Sequence, residues 1–400
     1  MGERISFSPP DITEAEINEV VDTLRSGWIT TGPKTKLFEN KLAELCETGR
    51  AACLSSATAA MELTLRLLGV GEGDEVITTA YTYTATASVV CHVGARLVLV
   101  DTQKNAFEMD YDALERAITP RTKVVIPVDL GGVMCDYDRI FDIVERKQFL
   151  FQPKNELQRA IGRVIVMTDA AHALGAVRKG RHCGSVADFT CFSFHAVKNL
   201  TTAEGGAATW NAVDGFEDDW IYRQYMLMSL HGQNKDALAK TQLGSWEYDI
   251  AAPLYKCNMT DLQAAIGLGQ LSRYESLLNR RRELVRLYNR ALMGEDVITL
   301  PHFTADGISS CHLYLVKING KDDAYRRKLI VELAEQGIAA NVHYKPLPLL
   351  TAYRSLGFDI ADFPNAFEMY QSEVTLPLHT LLTDEQAAYV VETFCRLLHD

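Results

Sequence analysis

Between residues 52 and 210 the chain repeats one pattern: a short apolar run, then a segment of helical periodicity. The runs are 52–54, 75–78, 96–100, 123–128, 163–168, 189–194 and 206–210, and several, such as Lys123-Val124-Val125-Ile126-Pro127-Val128, carry no polar alternation. A strand half-exposed to water alternates; one buried on both faces reads as a continuous apolar run. Helix-like segments at 58–68, 84–93, 110–118 and 136–147 separate most of the runs. The pattern predicts an α/β chain, a mostly parallel sheet of about seven strands covered by helices. Ahead of it, Thr13 and Glu16 form a capping-box pair before apolar Ile17, Val20, Val21 and Leu24. A second helix is expected over 34–46.

Near residue 260 the character changes. Thr260 opens one long helical stretch, Asp261 to Leu292, suited to connecting two units. A strand (His312–Ile318), a helix (Asp322–Gln336), a strand (Ile338–His343) and a last helix capped by Thr383 and Gln386 follow. The expected organisation is an arm at 1–12, a large domain at 13–259 and a smaller α+β domain at 260–400. The stretch 146–162 reads as a surface excursion between a helix and a strand.

The net charge of −12 argues against a general nucleic-acid binder, which needs clustered Lys and Arg. No apolar run is long enough to span a bilayer and no signal peptide opens the sequence. The nine cysteines are odd in number and show no C-x-x-C spacing, which reads as reduced core thiols of a cytoplasmic protein and not as a zinc site.

Open α/β sheets bind ligands beyond the carboxyl ends of their strands. After the run at 52–54 comes Ser55-Ser56-Ala57-Thr58, leading into a helix: small residues, hydroxyls and a helix N-terminus suit a phosphate, and equally a plain serine cap. After 163–168 comes Asp169-Ala170-Ala171-His172, a carboxylate placed to hold a cationic ring nitrogen or to cap a loop. After 189–194 comes His195-Ala196-Val197-Lys198-Asn199. A lysine among apolar residues has its pKa lowered by burial, which turns its amine into a nucleophile for an aldehyde. Tyr81-Thr82-Tyr83 offers aromatic faces for stacking. Each feature has an ordinary structural reading. Together they supply a phosphate seat, a pyridinium partner, a stacking ring and a Schiff-base lysine, the set that pyridoxal 5′-phosphate requires.

These residues resemble the DegT/StrS family of sugar aminotransferases. The resemblance runs through Ser26-Gly27-Trp28-Ile29-Thr30-Thr31-Gly32-Pro33, Ser55-Ser56-Ala57-Thr58-Ala59, Asp169-Ala170-Ala171-His172-Ala173, Phe192-Ser193-Phe194-His195-Ala196-Val197-Lys198-Asn199 and Lys256-Cys257-Asn258-Met259-Thr260-Asp261. Within the family the chain is similar to members that aminate UDP-linked 4-keto sugars. The resemblance implies the fold-type I PLP-dependent transferase fold, with Lys198 as the Schiff-base and proton-shuttling residue. Asp169 would pair with the pyridine nitrogen, Tyr83 would stack on the ring, and His172 would sit near its phenolic oxygen. Ala57, Thr58 and Ser193 would hold the phosphate, with Asn258 reaching in from the second subunit of a homodimer. Thr31, Lys34, His343 and Tyr344 would line the site for a nucleotide-sugar, and an amino acid, L-glutamate, would be the donor. Tyr83 stands where some relatives carry Trp, many members carry Gln at the His172 position, and 146–162 is longer than usual. The rival readings are a PLP-dependent sugar dehydratase, where histidine replaces the lysine, and a PLP-binding regulator without turnover. A dehydrogenase is disfavoured because Gly69-x-Gly71-x-Gly73 follows a helix and precedes a strand, the reverse of a dinucleotide loop.

Overall fold

The expected seven strands form in a computed structural model that describes residues 4–234 and 247–399. They are β1 (Ala51–Leu54), β2 (Glu75–Thr79), β3 (Arg96–Val100), β4 (Thr122–Ile126), β5 (Ile165–Asp169), β6 (Phe189–Ser193) and β7 (Gly206–Trp210). Their order across the sheet is β1-β7-β6-β5-β4-β2-β3, and only β7 runs antiparallel to its neighbours. Successive side chains point to opposite faces, so Ile77, Val125, Val166 and Phe192 enter one apolar core while Val76, Val124, Ile165 and Cys191 enter another. That double burial is the physical reason the runs lack polar alternation.

Helices α1 (Glu14–Ser26), α2 (Pro33–Cys46), α3 (Ala57–Leu67), α4 (Thr84–His92), α5 (Tyr111–Ala117), α6 (Tyr137–Arg146), α7 (Glu156–Ile161) and α8 (Asp218–Ser229) accompany the sheet. The chain passes from β2 outward to β3, then returns to the other side of β2 to build β4, β5 and β6. The crevice beyond the strand ends at this reversal is where such sheets take ligands.

The stretch 146–162 runs over the surface between α6 and β5, as expected, and it is tied down. It contains α7, buries Leu157 and Gln158, and sends the amides of Asn155 and Gln158 to the Leu68 carbonyl at 3.0 and 2.7 Å. That carbonyl ends α3 and would otherwise lack a partner. The single long connector is corrected. Its helix breaks at Arg273 (φ −128°, ψ 11°) into α9 (Asp261–Ser272) and α10 (Tyr274–Ala291). The guanidinium of Arg273 turns there onto Glu16 (2.9 Å) and Asp11 (3.1 Å). Met259, Ala264, Leu268, Tyr274 and Leu278 pack in a core of the large sheet, whereas Leu284, Val285, Tyr288 and Leu292 belong to a third core.

That third core underlies a small antiparallel sheet, β8 (Val297–Thr299), β9 (Tyr314–Ile318) and β10 (Glu373–Leu376), with β9 central. Helices α11 (Asp323–Glu335) and α12 (Asp384–His399) cover it. The strand expected at 338–343 is not one: Ile338 bridges Ile5 of the arm, Asn341 bridges Thr375, and no ladder continues between them. The segment thus serves as a strap leading to His343 and Tyr344.

The capping box of α1 forms as expected, yet the helix is turned so that Glu16 and Thr23 face inward. Ile17 (45% exposed) and Leu24 (55%) face outward. Glu16 accepts from Thr13 N–H (2.6 Å), Gln270 (2.8 Å) and Arg273, and α9 approaches so closely that a Cβ on Gly269 would lie 2.8 Å from Glu16 Cα. Burial opposes its charge, but these donors prevail and hold the carboxyl down at about 2 instead of 4.5. The difference corresponds to about 3 kcal/mol. A depressed carboxylate contributes fully above its unfolded pKa and loses that contribution as pH falls through the folded one. Glu16→Gln is therefore expected to lower the melting temperature near neutral pH. The gap to the native chain should close between about pH 4.5 and about pH 2 in a thermal-melt series.

Candidate active site

At the carboxyl ends of β2, β5 and β6, a cavity of about 410 Å³ opens against His343 and Tyr344 of the strap. Ala57, Thr58, Tyr83, Asp169, His172, Ser193, Lys198, His343 and Tyr344 all line it. Thr31, Lys34 and Asn258 do not. Thr31 and Asn258 bond to each other at 2.5 Å beside Met259, and Lys34 pairs with Asp22 at 2.8 Å and with Glu19.

At one end, Ser56 caps α3 by accepting the Ala59 N–H at 3.0 Å. Ala57 and Thr58 lie in the first turn, where N–H groups have no helical acceptor. Gly206 of β7 lets this turn sit against the sheet: a Cβ there would lie 2.3 Å from Ser56 C and 2.4 Å from Ala57 N. Ser193, at the end of β6, lines the same cavity, and its hydroxyl accepts the His195 N–H at 3.4 Å.

In the middle sits Asp169, the last residue of β5 and only 6% exposed. Thr86 Oγ1 donates to its Oδ2 at 2.6 Å and Ala171 N–H to its Oδ1 at 3.1 Å. Thr82 and Thr86, one helical turn apart, share a 2.8 Å hydrogen bond that orients the Thr86 hydroxyl. Burial raises the carboxyl pKa, opposed by Thr86, the Ala171 amide and the charge of Lys198. Burial likewise pushes the Lys198 amine down to about 8, against the pull of Asp169. Lys198 Nζ has no hydrogen-bond or ion-pair partner among the described residues, so the amine is free for chemistry. Tyr83, 59% exposed, lies across the mouth with its ring 5.7 Å from that of Tyr344.

His172 is enclosed by Gly131, His312 and Tyr344. Gly131 N–H donates to its Nδ1 at 3.1 Å, and Tyr344 Oη lies 3.1 Å from its Nε2. An N–H only donates, so Nδ1 holds a lone pair and the ring proton resides on Nε2, pointing at the Tyr344 oxygen. Burial, then Lys198 and His343, keep this imidazole neutral far below the usual histidine range. The His312 ring packs 4.4 Å from His172, and its Nδ1 lies 2.9 Å from Oδ1 of Asn199, the neighbour of Lys198. Ser310 holds the same junction, accepting Asn199 Nδ2 at 2.8 Å on its carbonyl and donating its hydroxyl to the His172 carbonyl.

Sequence reasoning missed Thr86, Asn199, Ser310 and His312. The threonines at 82, 84 and 86 behind β2 and the polar Ser309-Ser310-Cys311-His312 ahead of an apolar run were visible signals. Only packing connects them to Asp169 and His172.

The donor set fits pyridoxal phosphate. A helix N-terminus with free amides can take the phosphate, the enclosed carboxylate can take a protonated ring nitrogen, and an unpartnered amine stands in the same cavity. The comparisons with known proteins agree. A family model described as the DegT/DnrJ/EryC1/StrS aminotransferase family matches residues 10–395. The putative sugar aminotransferase Spr1654 from Streptococcus pneumoniae, solved in its PMP form, is 57% identical with a TM-score of 0.96, covering 99% of each chain. The aminotransferase PseC of Helicobacter pylori, involved in the biosynthesis of pseudoaminic acid, is 27% identical with a TM-score of 0.87, covering 99% of this chain and 100% of that one. The spore coat polysaccharide biosynthesis protein SpsC of Bacillus subtilis is 37% identical, over 97% of this chain and 95% of its own. With the cofactor groups gathered at the strand ends and these relatives spanning nearly the whole length, the chain belongs to the DegT/DnrJ/EryC1/StrS aminotransferase family and is a pyridoxal 5′-phosphate-dependent sugar aminotransferase.

Proposed function

We propose that the enzyme passes the amino group of L-glutamate to a nucleotide-linked keto-sugar, with a UDP-linked 4-keto sugar as the first candidate. The observation that carries the acceptor class is the wall facing Lys198. His343, Tyr344, Tyr83 and Thr82 present neutral hydroxyl and imidazole edges, and no arginine lines the cavity among the described residues. Neutral donors and acceptors match the hydroxyls of a sugar. SpsC and PseC, named for polysaccharide and pseudoaminic acid biosynthesis, support the same class.

Pyridoxal phosphate, when bound, supplies an electron sink that carries the amino group between the two half-reactions. The chain's own residues do the rest. The amides of Ala57 and Thr58 and the Ser193 hydroxyl hold the phosphate. Asp169, oriented by Thr86, holds the ring nitrogen in its protonated form, an interaction of about 4 kcal/mol at close range before desolvation. Tyr83 covers the ring, and His172 with Tyr344 borders its oxygen edge. Lys198, with its amine poised near neutral pH, acts as nucleophile and proton carrier.

The working unit is a homodimer. Its support is the outward apolar stripe of α1, where Ile12, Ile17, Val20 and Val21 border a groove with Ala196, Ala203 and Ile266 next to the Lys198 loop. Asn258, outside this cavity, serves the site of the other subunit, with Thr31 and Lys34 near it. Nine unpaired cysteines suit a reducing compartment, the cytoplasm, and no helix among the described residues is long and apolar enough to cross a membrane.

Absorbance spectra before and after glutamate test the donor: the cofactor band should bleach with glutamate and return with the correct keto-sugar from a panel of UDP-, dTDP- and GDP-linked compounds. A band that glutamate leaves unchanged removes glutamate from the scheme. Lys198→Ala should lose the band and on the order of 10³-fold or more in turnover. Asp169→Ala should retain cofactor yet fall by about 10³-fold, the equivalent of about 4 kcal/mol. Full turnover in either variant would refute the assigned role. Val21→Asp should shift the protein toward monomer in light scattering and weaken cofactor retention; an unchanged mass and occupancy would remove α1 from the interface.

A further inference from the structure

Behind His343 runs a hydrogen-bond chain that the reaction described so far does not use. Glu373, the first residue of β10, is fully buried. Its Oε2 accepts the His343 backbone N–H at 2.9 Å, and its Oε1 lies 2.5 Å from the Thr375 hydroxyl. That hydroxyl lies 3.0 Å from Nδ1 of His343. Residues 373 and 375 share a face of the strand by alternation. The His343 ring is fixed by Phe7, stacked at 5.5 Å, and its carbonyl takes the Tyr81 hydroxyl at 3.1 Å. Among the described residues its Nε2 has no hydrogen-bond partner, and the residue lines the cavity.

A hydroxyl has one proton to give, so this chain has two self-consistent states. With Glu373 ionised, Thr375 donates to Oε1 and accepts from Nδ1–H, so Nε2 meets the cavity as a lone pair. With Oε1 protonated, the carboxyl donates to Thr375, Thr375 donates to Nδ1, and Nε2–H meets the cavity as a donor. Oε2 accepts the His343 N–H in both. Passing from the second state to the first, one proton leaves from Nε2 while the other two each shift one partner along.

We propose that Glu373 and Thr375 are positioning residues that set the hydrogen-bonding character His343 shows the amino acceptor: donor while the Glu373 carboxyl keeps its proton, acceptor once it is lost. Burial pushes that carboxyl up to about 8, against Thr375, the His343 N–H and Arg326, which favour the ionised form. Burial and then Lys198 push the imidazole down to about 3, so the ring stays neutral throughout. The other charged or titratable groups nearby are Tyr81, Tyr344, Tyr370, Arg326 and, opposite Glu373 in register, Lys317. Lys317 is engaged by Asn319 at 2.9 Å and Glu368 at 3.4 Å, and Arg326 by the Tyr370 carbonyl at 2.8 Å and by Asp323. A carbonyl oxygen offers only lone pairs, so the donor state is the one that receives a keto group; this step alone rests on the keto-sugar reading.

Nitrogen-15 NMR of the histidine-labelled holoenzyme, with His343→Gln to assign the signals, reads the tautomer directly. The ring is expected to be Nε2-protonated near pH 6.5 and to convert to Nδ1-protonated across about pH 8. Glu373→Gln, whose amide donates to Thr375 as the protonated carboxyl does, should stay Nε2-protonated at every pH. Thr375→Val should uncouple the ring from pH, and Thr375→Ser should restore the coupling. In the acceptor half-reaction, KM for the keto-sugar should rise about fivefold across the transition, the worth of one neutral hydrogen bond, and stay flat in Glu373→Gln. The Lys198 titration, which falls in the same range, remains in both proteins and cancels in the comparison. A wild-type ring that keeps one tautomer, or a Glu373→Gln ring that titrates like the wild type, overturns the proposal. A tautomer that moves while KM stays flat upholds the relay and overturns its role toward a keto acceptor.

Discussion

The Asp169 carboxyl group ends a strand whose five residues are all buried and takes two hydrogen bonds, from Thr86 and Ala171. An ionised carboxylate in such a place is costly unless a cation completes it. Lys198 shares the cavity but forms no ion pair with it, and each group is displaced by burial away from its charged form. Both would be liabilities in a chain that only had to fold. A ligand carrying a protonated nitrogen and an aldehyde would relieve both at once, the first near the carboxylate and the second near the amine. The site by itself is electrostatically incomplete, which fits a cofactor of that kind.

Residues from the later part of the chain close this arrangement through His172. Gly131 N–H donates to the His172 ring, Ser310 Oγ donates to the His172 carbonyl, and Ser310 N–H bonds the Gly132 carbonyl at 3.1 Å, which brings the two parts of the chain together at that residue. His312 packs on the ring and Tyr344 accepts its proton. Asn199, the residue beside Lys198, is held by His312 and Ser310 of the same junction, so a shift of these groups would reach both His172 and the Lys198 loop. Cavity-lining His343 and Tyr344 are borne on the strap from Ile338, so the two sides of the cavity are carried by distant parts of the chain held in register by these polar contacts.

Much of the frame was legible because its causes are local. Continuous apolar runs announce strands buried on both faces, and the capping pairs Thr13/Glu16 and Thr383/Gln386 mark helix starts whatever the tertiary context. Lys198, Asp169 and the Ser-Ser-Ala-Thr turn were readable as residues placed just after strands. The misreadings share a cause. The helix after Thr260 has unbroken helical periodicity, and its break at Arg273 answers to Glu16 and Asp11, more than 250 positions away. Ile338–His343 has strand composition, but its backbone pairs with the arm through Ile338 and with β10 only at Thr375, not in a ladder.

The outward stripe of α1 marks the same boundary. Periodicity shows that Ile17, Val20, Val21 and Leu24 share a face, but it cannot say which way that face points. Contact with Gln270 and Arg273 turned Glu16 inward and left the apolar face outside. By itself, then, the sequence determined the α/β frame and the order of its elements, and it singled out Lys198, Asp169 and the turn at 55–58 as residues that follow strands, since each of these depends on neighbours within a few residues. The tertiary structure alone decided that Thr86 orients Asp169, that His312 and Tyr344 enclose His172, and that Glu373 lies behind His343. Those contacts join residues 30 to 172 positions apart, and a side chain's hydrogen-bond partner is chosen by distance in space, which no local pattern encodes.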